Sequence, residues 1–221
     1  MSKHVQSMIR VVISAFVLFL TYLATGHGIS SFQYNFTNNN LSLWASRDVL
    51  PSSEEIVRAE QAIISAEKLW PDNPTYLMNQ AAVYIWGTYS ENEPGDKLLA
   101  SLNNYERALA HQPLSPWVWS EWVMTKWRLE QYDSAMSNGI ISLDTAGPYT
   151  GEANLTVVNA GLKLLSKKPE YDDDLRDIIL SHYRRAEYNG KIFRQMRQLK
   201  EDYDNPDWLP ELVFWLDRQQ N

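Results

Sequence analysis

Cysteine is absent from the 221 residues. That excludes disulfides, thiol catalysis and cysteine-ligated zinc, and is compatible with export. Positive charge is outweighed, with 20 Lys and Arg against 27 Asp and Glu and a net charge of −7. Binding to a phosphate backbone needs a positive face, so a general nucleic-acid binder is excluded, though a local basic patch is not. Glycine (9) and proline (10) are too few for a low-complexity chain. The histidines are His4, His27, His111 and His182, and no two stand at helical metal-ligand spacing. Gly-rich phosphate loops and nucleophile–base motifs are missing as well. No catalytic residue, cofactor or metal is therefore read from the chain, and a non-enzymatic role is expected.

What is present begins with a basic end carrying Lys3 and Arg10, followed by the apolar run Val11–Ala24. A spanning helix needs about 20 residues, and adding Ile9 and the uncharged Thr25–Ile29 reaches that length. Val11, Phe16, Leu20 and Leu23 mark this membrane segment, expected as a single uncleaved anchor over residues 1–29. The alternative is a secretory signal cut at Ala24-Thr25-Gly26. Either way the basic end stays in the cytoplasm and the rest is exported. Ser30–Asn40 is polar and Asn-rich and reads as part of a juxtamembrane linker over residues 30–50, with a short helix at Leu41–Leu50. Asn35-Phe36-Thr37 and Asn154-Leu155-Thr156 match the glycosylation triplet, which is common by chance.

From residue 51 to 221 the pattern is helical throughout. Helices are expected at Ser53–Leu69, Pro74–Thr88, Asp96–His111, Pro116–Glu130, Tyr132–Leu143 and Gly151–Leu165. Pro51-Ser52-Ser53-Glu54-Glu55 supplies a serine cap and first-turn acids, and Ser115 is placed to cap the helix that Pro116 opens. The turn Trp70-Pro71-Asp72-Asn73-Pro74 recurs as Gln112-Pro113-Leu114-Ser115-Pro116. At matching distances before Pro71, Pro113 and Gly147 lie Ala59, Ile63 and Ala66, then Ser101, Tyr105 and Ala108, then Ala135, Gly139 and Ser142. Pro113 and Gly147 are 34 residues apart, and tetratricopeptide (TPR) repeats have a period of about 34. The 42 residues from Pro71 to Pro113 fit a longer loop at Ser90–Gly95. Over Ala59–Ala160 the chain thus resembles a TPR array, departing from the family at Lys126 and Val157. The resemblance implies an all-α solenoid of antiparallel helix pairs behind one N-terminal transmembrane helix. C-terminal helices over residues 172–218 would cap the last apolar face, since repeat arrays need such an element.

Pro116–Glu130 carries four tryptophans. Trp119, Trp122 and Lys126 share one side, and Trp117, Glu121, Met124, Trp127 and Arg128 share the other. The TPR resemblance would turn the second side into a concave groove, with Asn79, Ala82 and Trp86 from the repeat before and Asn154 and Val158 from the one after. Aromatic faces with interspersed polar groups suit peptide segments or sugar rings. The plainer alternatives are that these tryptophans pack the core, or that the C-terminal helices fill the groove. Asp172–Asp174 with Asp177 reads as a helix-dipole complement rather than a cation site. Arg184, Arg185, Lys191, Arg194, Arg197 and Lys200 form a basic surface, solvated by default, that would suit anionic headgroups or an acidic partner.

A more specific likeness covers most of the chain. The approach Leu41–Ser53, the helix ending Trp70-Pro71-Asp72-Asn73-Pro74-Thr75-Tyr76 and the Tyr84-Ile85-Trp86 pattern take part in it. So does Ala108-Leu109-Ala110-His111-Gln112-Pro113, followed by the helix holding Thr125-Lys126-Trp127. Together these are similar to the small VpsP-like proteins of bacterial exopolysaccharide biosynthesis loci. The resemblance implies a single-pass inner-membrane protein with a periplasmic domain that assists polysaccharide synthesis or export. Its partners would be the membrane, protein components of that machinery and, in an alternative reading, the polysaccharide itself. A general envelope-assembly TPR protein is the other alternative. The likeness carries no catalytic residue across.

Overall fold

The computed structural model describes residues 3–47, 49–89 and 95–187, and within them every regular element is helical. The helices are α1 (Lys3–Ser46), α2 (Ser53–Leu69), α3 (Pro74–Thr88), α4 (Gly95–His111), α5 (Pro116–Arg128), α6 (Ser134–Ala146), α7 (Gly151–Lys167) and α8 (Asp172–Glu187). A 3-10 turn at Pro169–Tyr171 precedes α8. The chain divides into two compact units, Met1–Asn92 and Glu93–Asn221. The capping helices expected beyond Glu187, with Lys191, Arg194, Arg197 and Lys200, lie outside the described residues.

In the first unit α1, α2 and α3 pack pairwise. α1 runs unbroken for 44 residues and is long and apolar enough to cross a membrane. Val11, Phe16 and Leu20 are exposed and Leu23 is half-buried. Two threonine hydroxyls of this stretch are satisfied on their own helix, Thr21 Oγ1 donating to the Val17 carbonyl at 2.9 Å and Thr25 Oγ1 to that of Thr21 at 2.8 Å. Such back-bonding removes the cost of placing a hydroxyl in a medium without water.

The linker expected at residues 30–50 is a correction. Ser30–Ser46 continues α1, and its stripe of Ser30, Tyr34, Thr37, Leu41 and Trp44 faces α2 and α3. Ser30, Thr37 and Trp44 are fully buried. The spacing of four and three residues places them on one side of the helix. Thr37 Oγ1 donates to the Ala59 carbonyl at 3.2 Å, and the Tyr76 hydroxyl donates to Ser30 Oγ at 3.3 Å. Trp44 joins Ile56, Ala59 and Val83 in one core cluster, with Leu41 and Trp86 against it. Ile63, Ala66 and Tyr76 form a second cluster, flanked by Tyr34 and Trp70. The capping box of α2 forms as read: Glu55 N–H donates to Ser52 Oγ, and Ser52 N–H donates back to the Glu55 carboxylate at 2.8 Å. Asn73 caps α3 through the Thr75 and Tyr76 amides.

In the second unit α4 packs on α5, α5 on α6 and α7, α6 on α7 and α8, and α7 on α8. The repeat register falls on buried positions: Ala59, Ile63 and Ala66 in α2, and Ser101, Tyr105 and Ala108 in α4, are all fully buried. At the third set Gly139 is buried, Ser142 half-buried and Ala135 exposed. Gly139 and Gly161 let helices approach closely. A Cβ at Gly139 would stand 2.4 Å from the Trp122 ring, and one at Gly161 would stand 2.7 Å from Ile179. Ser115 takes the N-cap position of α5 but makes no side-chain capping bond, contrary to the role expected from its place in the sequence. Just past α5 and its C-cap Leu129, Glu130 stands at φ 54, a left-handed conformation, and Gln131 N–H reaches back to the Lys126 carbonyl at 3.0 Å.

Candidate functional site

The residues singled out for a groove fall in both units. In the first unit Trp86 is half-buried, edge-on to Trp44 at 5.9 Å and tilted on Tyr89 at 5.8 Å, so its ring supports the core cluster of that unit. Asn79 is buried, and its amide nitrogen has no hydrogen-bond partner among the described residues.

In the second unit Trp122 and Lys126 of α5 are buried and Trp119 on their side is half-buried, while Trp117, Glu121, Met124 and Trp127 are half-buried and Arg128 is exposed. The buried side is fully engaged. Trp122 Nε1 donates to Glu106 Oε1 at 3.2 Å, and Trp119 Nε1 donates to the Pro113 carbonyl at 2.8 Å. Lys126 Nζ donates to Asp133 Oδ2 at 2.9 Å and Gln131 Oε1 at 3.0 Å, and stands 5.5 Å from the centre of the Trp122 ring. The cation is thus a tie between α5 and the start of α6. It sits at a position where the TPR resemblance leads one to expect an aromatic or small residue.

On the open side Trp117 meets Tyr105 of α4 edge-on at 6.4 Å. The Glu121 carboxylate lies 4.0 Å from Arg128 Nη1. Burial raises the Glu121 pKa above the usual carboxylate value, with Arg128 opposing the shift. Burial also raises Glu152, on the first turn of α7, and the charge of Glu121 raises it further. The Glu121 carboxylate and the Arg128 guanidinium, on a helix side that also carries Trp117 and Trp127, make a face that can both donate and accept hydrogen bonds. This mixed apolar and polar character suits a peptide segment or a sugar ring better than a reacting centre. Ser120 Oγ and Thr156 Oγ1, 2.5 Å apart and buried, bind α5 to α7 beneath it.

Asn154 belongs to a different constellation. It is buried, and its side-chain oxygen stands 2.6 Å from His182 Nδ1, while His182 Nε2 stands 2.9 Å from Asp144 Oδ1. Arg185 closes the group, 3.5 Å from Asp144 Oδ1, with Nη1 donating to the Pro148 carbonyl at 2.9 Å and its guanidinium over the Tyr149 ring. His182 is fully buried, and burial lowers its pKa, with the hydrogen bond to Asp144 opposing the shift. This network joins α6, α7 and α8, and it takes Asn154 and Arg185 away from the solvent-facing roles their sequence positions suggested. The glycosylation triplet at Asn154 is likewise buried, as is Thr37 of the other. Asp172 pairs with Arg176 of its own helix. Spacing along the chain gave no sign of the histidine network, because its partners lie 28 and 38 residues away.

Comparison of the chain with family models, curated proteins and solved structures finds no match.

Proposed function

We propose that this chain is a membrane-anchored helical adaptor of a bacterial envelope, with a TPR-like solenoid on the periplasmic side of the inner membrane. It assists exopolysaccharide synthesis or export by holding other components of the machinery. The observation that carries the reading is the joining of two features in one chain. α1 leaves Met8–Leu20 and Tyr22 exposed as an apolar helix, and the same chain then folds into stacked helices with a half-open aromatic face at Trp117, Glu121, Met124, Trp127 and Arg128. An apolar surface of that extent on a soluble protein would be a liability. The basic residue Arg10 before the run favours the orientation with α2 onward exported. Continuity of α1 through Ala24–Gly26 favours the uncleaved anchor, because a cut there would divide the helix in its middle.

The test is capture from native membranes. A triple variant with Glu121→Lys, Arg128→Glu and Trp127→Ala should lose a polysaccharide polymerase or co-polymerase that the parent chain retains. Undiminished capture by a folded triple variant would remove the aromatic face from the proposal. Quenching of tryptophan fluorescence by the host's own polysaccharide, lost in the same variant, would move the assignment to direct glycan binding.

A further inference from the structure

We infer that the α2–α3 turn, together with the adjoining side of α1, rests in the headgroup layer of the bilayer that α1 spans. On this reading the first unit stands on the membrane rather than hanging from a tether. The inference rests on the membrane-anchor reading of α1 and adds where the folded part begins.

Three observations combine. α1 is one helix from Lys3 to Ser46, so depth along it follows from the rise per residue. From Arg10 to Ser30 that rise is about 30 Å, which is the thickness of the hydrocarbon core. The Arg10 side chain reaches the cytoplasmic headgroups from about one turn inside the hydrocarbon, so the outer boundary falls about one turn before Ser30, close to His27. Second, His27 stacks on Trp70 with ring centroids 3.8 Å apart, so the end of α2 is fixed at that depth. α2 runs antiparallel to α1: Arg47 pairs with Glu55, Thr37 bonds Ala59 and His27 meets Trp70. The turn is therefore the membrane-proximal end of the first unit and the start of α2 its far end.

Third, the surface at that depth is of the right kind. Leu69 is 40 % exposed, Ile29 49 % and Phe32 69 %. Trp70 is half-buried at the same end of α2, where Lys68 and Asp72 are exposed. Tryptophan and other amphipathic groups concentrate where hydrocarbon meets headgroup, and a lysine there faces anionic lipid. Without a bilayer these apolar side chains face water at the end of a unit whose core is already closed by Ile63, Ala66 and Tyr76. The headgroup layer extends about 5–7 Å beyond the hydrocarbon on each side, enough to cover Phe32 as well as the turn.

The absence of cysteine makes the test direct. Single-cysteine variants Phe16→Cys, Leu69→Cys, Lys68→Cys and Ser53→Cys of the full chain are spin-labelled. They are then reconstituted in vesicles of phosphatidylethanolamine and phosphatidylglycerol. Access to oxygen, which partitions into lipid, is compared with access to a water-soluble nickel chelate. Ser53 lies about 24 Å from Leu69 along α2 and reports the aqueous limit. The expected result is a lipid-like ratio at Phe16, a water-like ratio at Ser53, and nickel access at Leu69 and Lys68 several-fold below that at Ser53. A lipid-like Phe16 with Leu69 and Lys68 as open to nickel as Ser53 would overturn the seating of the turn and leave the anchor intact. A water-like Phe16 would overturn the anchor and the seating together.

Discussion

In the first unit α1 meets α2 and α3 through Ser30, Thr37 and Trp44, whereas in the second α5 meets α6 through Gly139 lying under the Trp122 ring. One interface uses small hydroxyls and a single large ring on the same long helix. The other removes a side chain so that a ring on the partner helix can enter. Both bring helix axes close, but they fail differently. A hydroxyl stripe tolerates loss of one bond, while a ring with no space around it tolerates neither enlargement opposite it nor its own removal. The first unit is also the one that depends on a helix whose other half is apolar and exposed, so its packing and its membrane attachment belong to the same element.

The largest effect that separates the units is expected at Trp44, fully buried in the first. Trp44→Ala removes the ring on which Ile56, Ala59, Val83 and Trp86 pack, at a cost of about 3–5 kcal/mol by analogy with other buried aromatic truncations. Amide exchange should accelerate through α1 after Ser30, α2 and α3, and remain at the parent rate in α5–α8. Equal acceleration in both regions would break the comparison, because the division into two units would not then describe their stability.

Next in size is Gly139→Ala. The added carbon would stand 2.4 Å from a Trp122 ring that Glu106 holds through its indole N–H. A flexible neighbour would yield, but this ring sits between α4, α5 and α6 and cannot turn freely. The expected loss is about 1–3 kcal/mol for overpacking, set against the gain of less than about 1 kcal/mol that alanine brings to a helix interior. Thermal melting of the variant should show a lowered transition with exchange changes confined to α4–α7. A raised melting temperature would mean that propensity outweighs the clash and that the glycine is not a packing device.

How much of this was readable beforehand depends on what each feature is made of. The boundaries of α2, α3, α5 and α7 are announced by Ser52, Pro74, Pro116 and the turn before Gly151, where proline and cap chemistry act locally. The continuation of α1 past Ser30 is not announced, because its buried stripe is serine, tyrosine and threonine among asparagines. Apolar periodicity cannot register a stripe of that composition. Helical spacing alone divides α5 into two sides and puts Trp117, Glu121 and Trp127 together on one of them. The assignments of Asn154 and Arg185 were not, since both are determined by His182 on a helix that spacing cannot place. Ser115 shows the limit of local reading in the other direction: residue type and position are right for a cap, yet the bond does not form.

The smallest effects are expected in the pH dependence, where the first unit carries one sign and the second carries both. In the first unit the backbone amide and hydroxyl of Ser52 hold the Glu55 carboxyl below its ordinary value. A lowered carboxyl contributes stability above its unfolded pKa of about 4.3 that is lost as pH falls toward the native value. The first unit should therefore be level from neutral pH down to that point and weaken below it, and Ser52→Ala should cost about 1 kcal/mol near neutral pH by loss of the cap and make the slope shallower, since the backbone amide still donates to Glu55. In the second unit Glu121 and Glu152 are raised, so the native state holds protons that the unfolded chain releases, and stability falls as pH rises through their titration above about 4.3. His182 is lowered, so the unfolded chain takes up a proton first, and stability falls as pH drops below about 6.5. Between these values the carboxyl and histidine slopes oppose each other. Glu121→Gln removes part of the carboxyl slope and leaves Glu152. The variant should then lose stability more steeply than the parent as pH falls from about 6.5 toward 5, and His182→Gln added to it should take that steeper loss away. Exchange rates of α5–α8 amides, corrected for intrinsic chemistry, read both. If the single variant follows the parent's pH profile, the Glu121 carboxylate does not titrate in this range, and the raised Glu121 would have to be given up as a property of the open face.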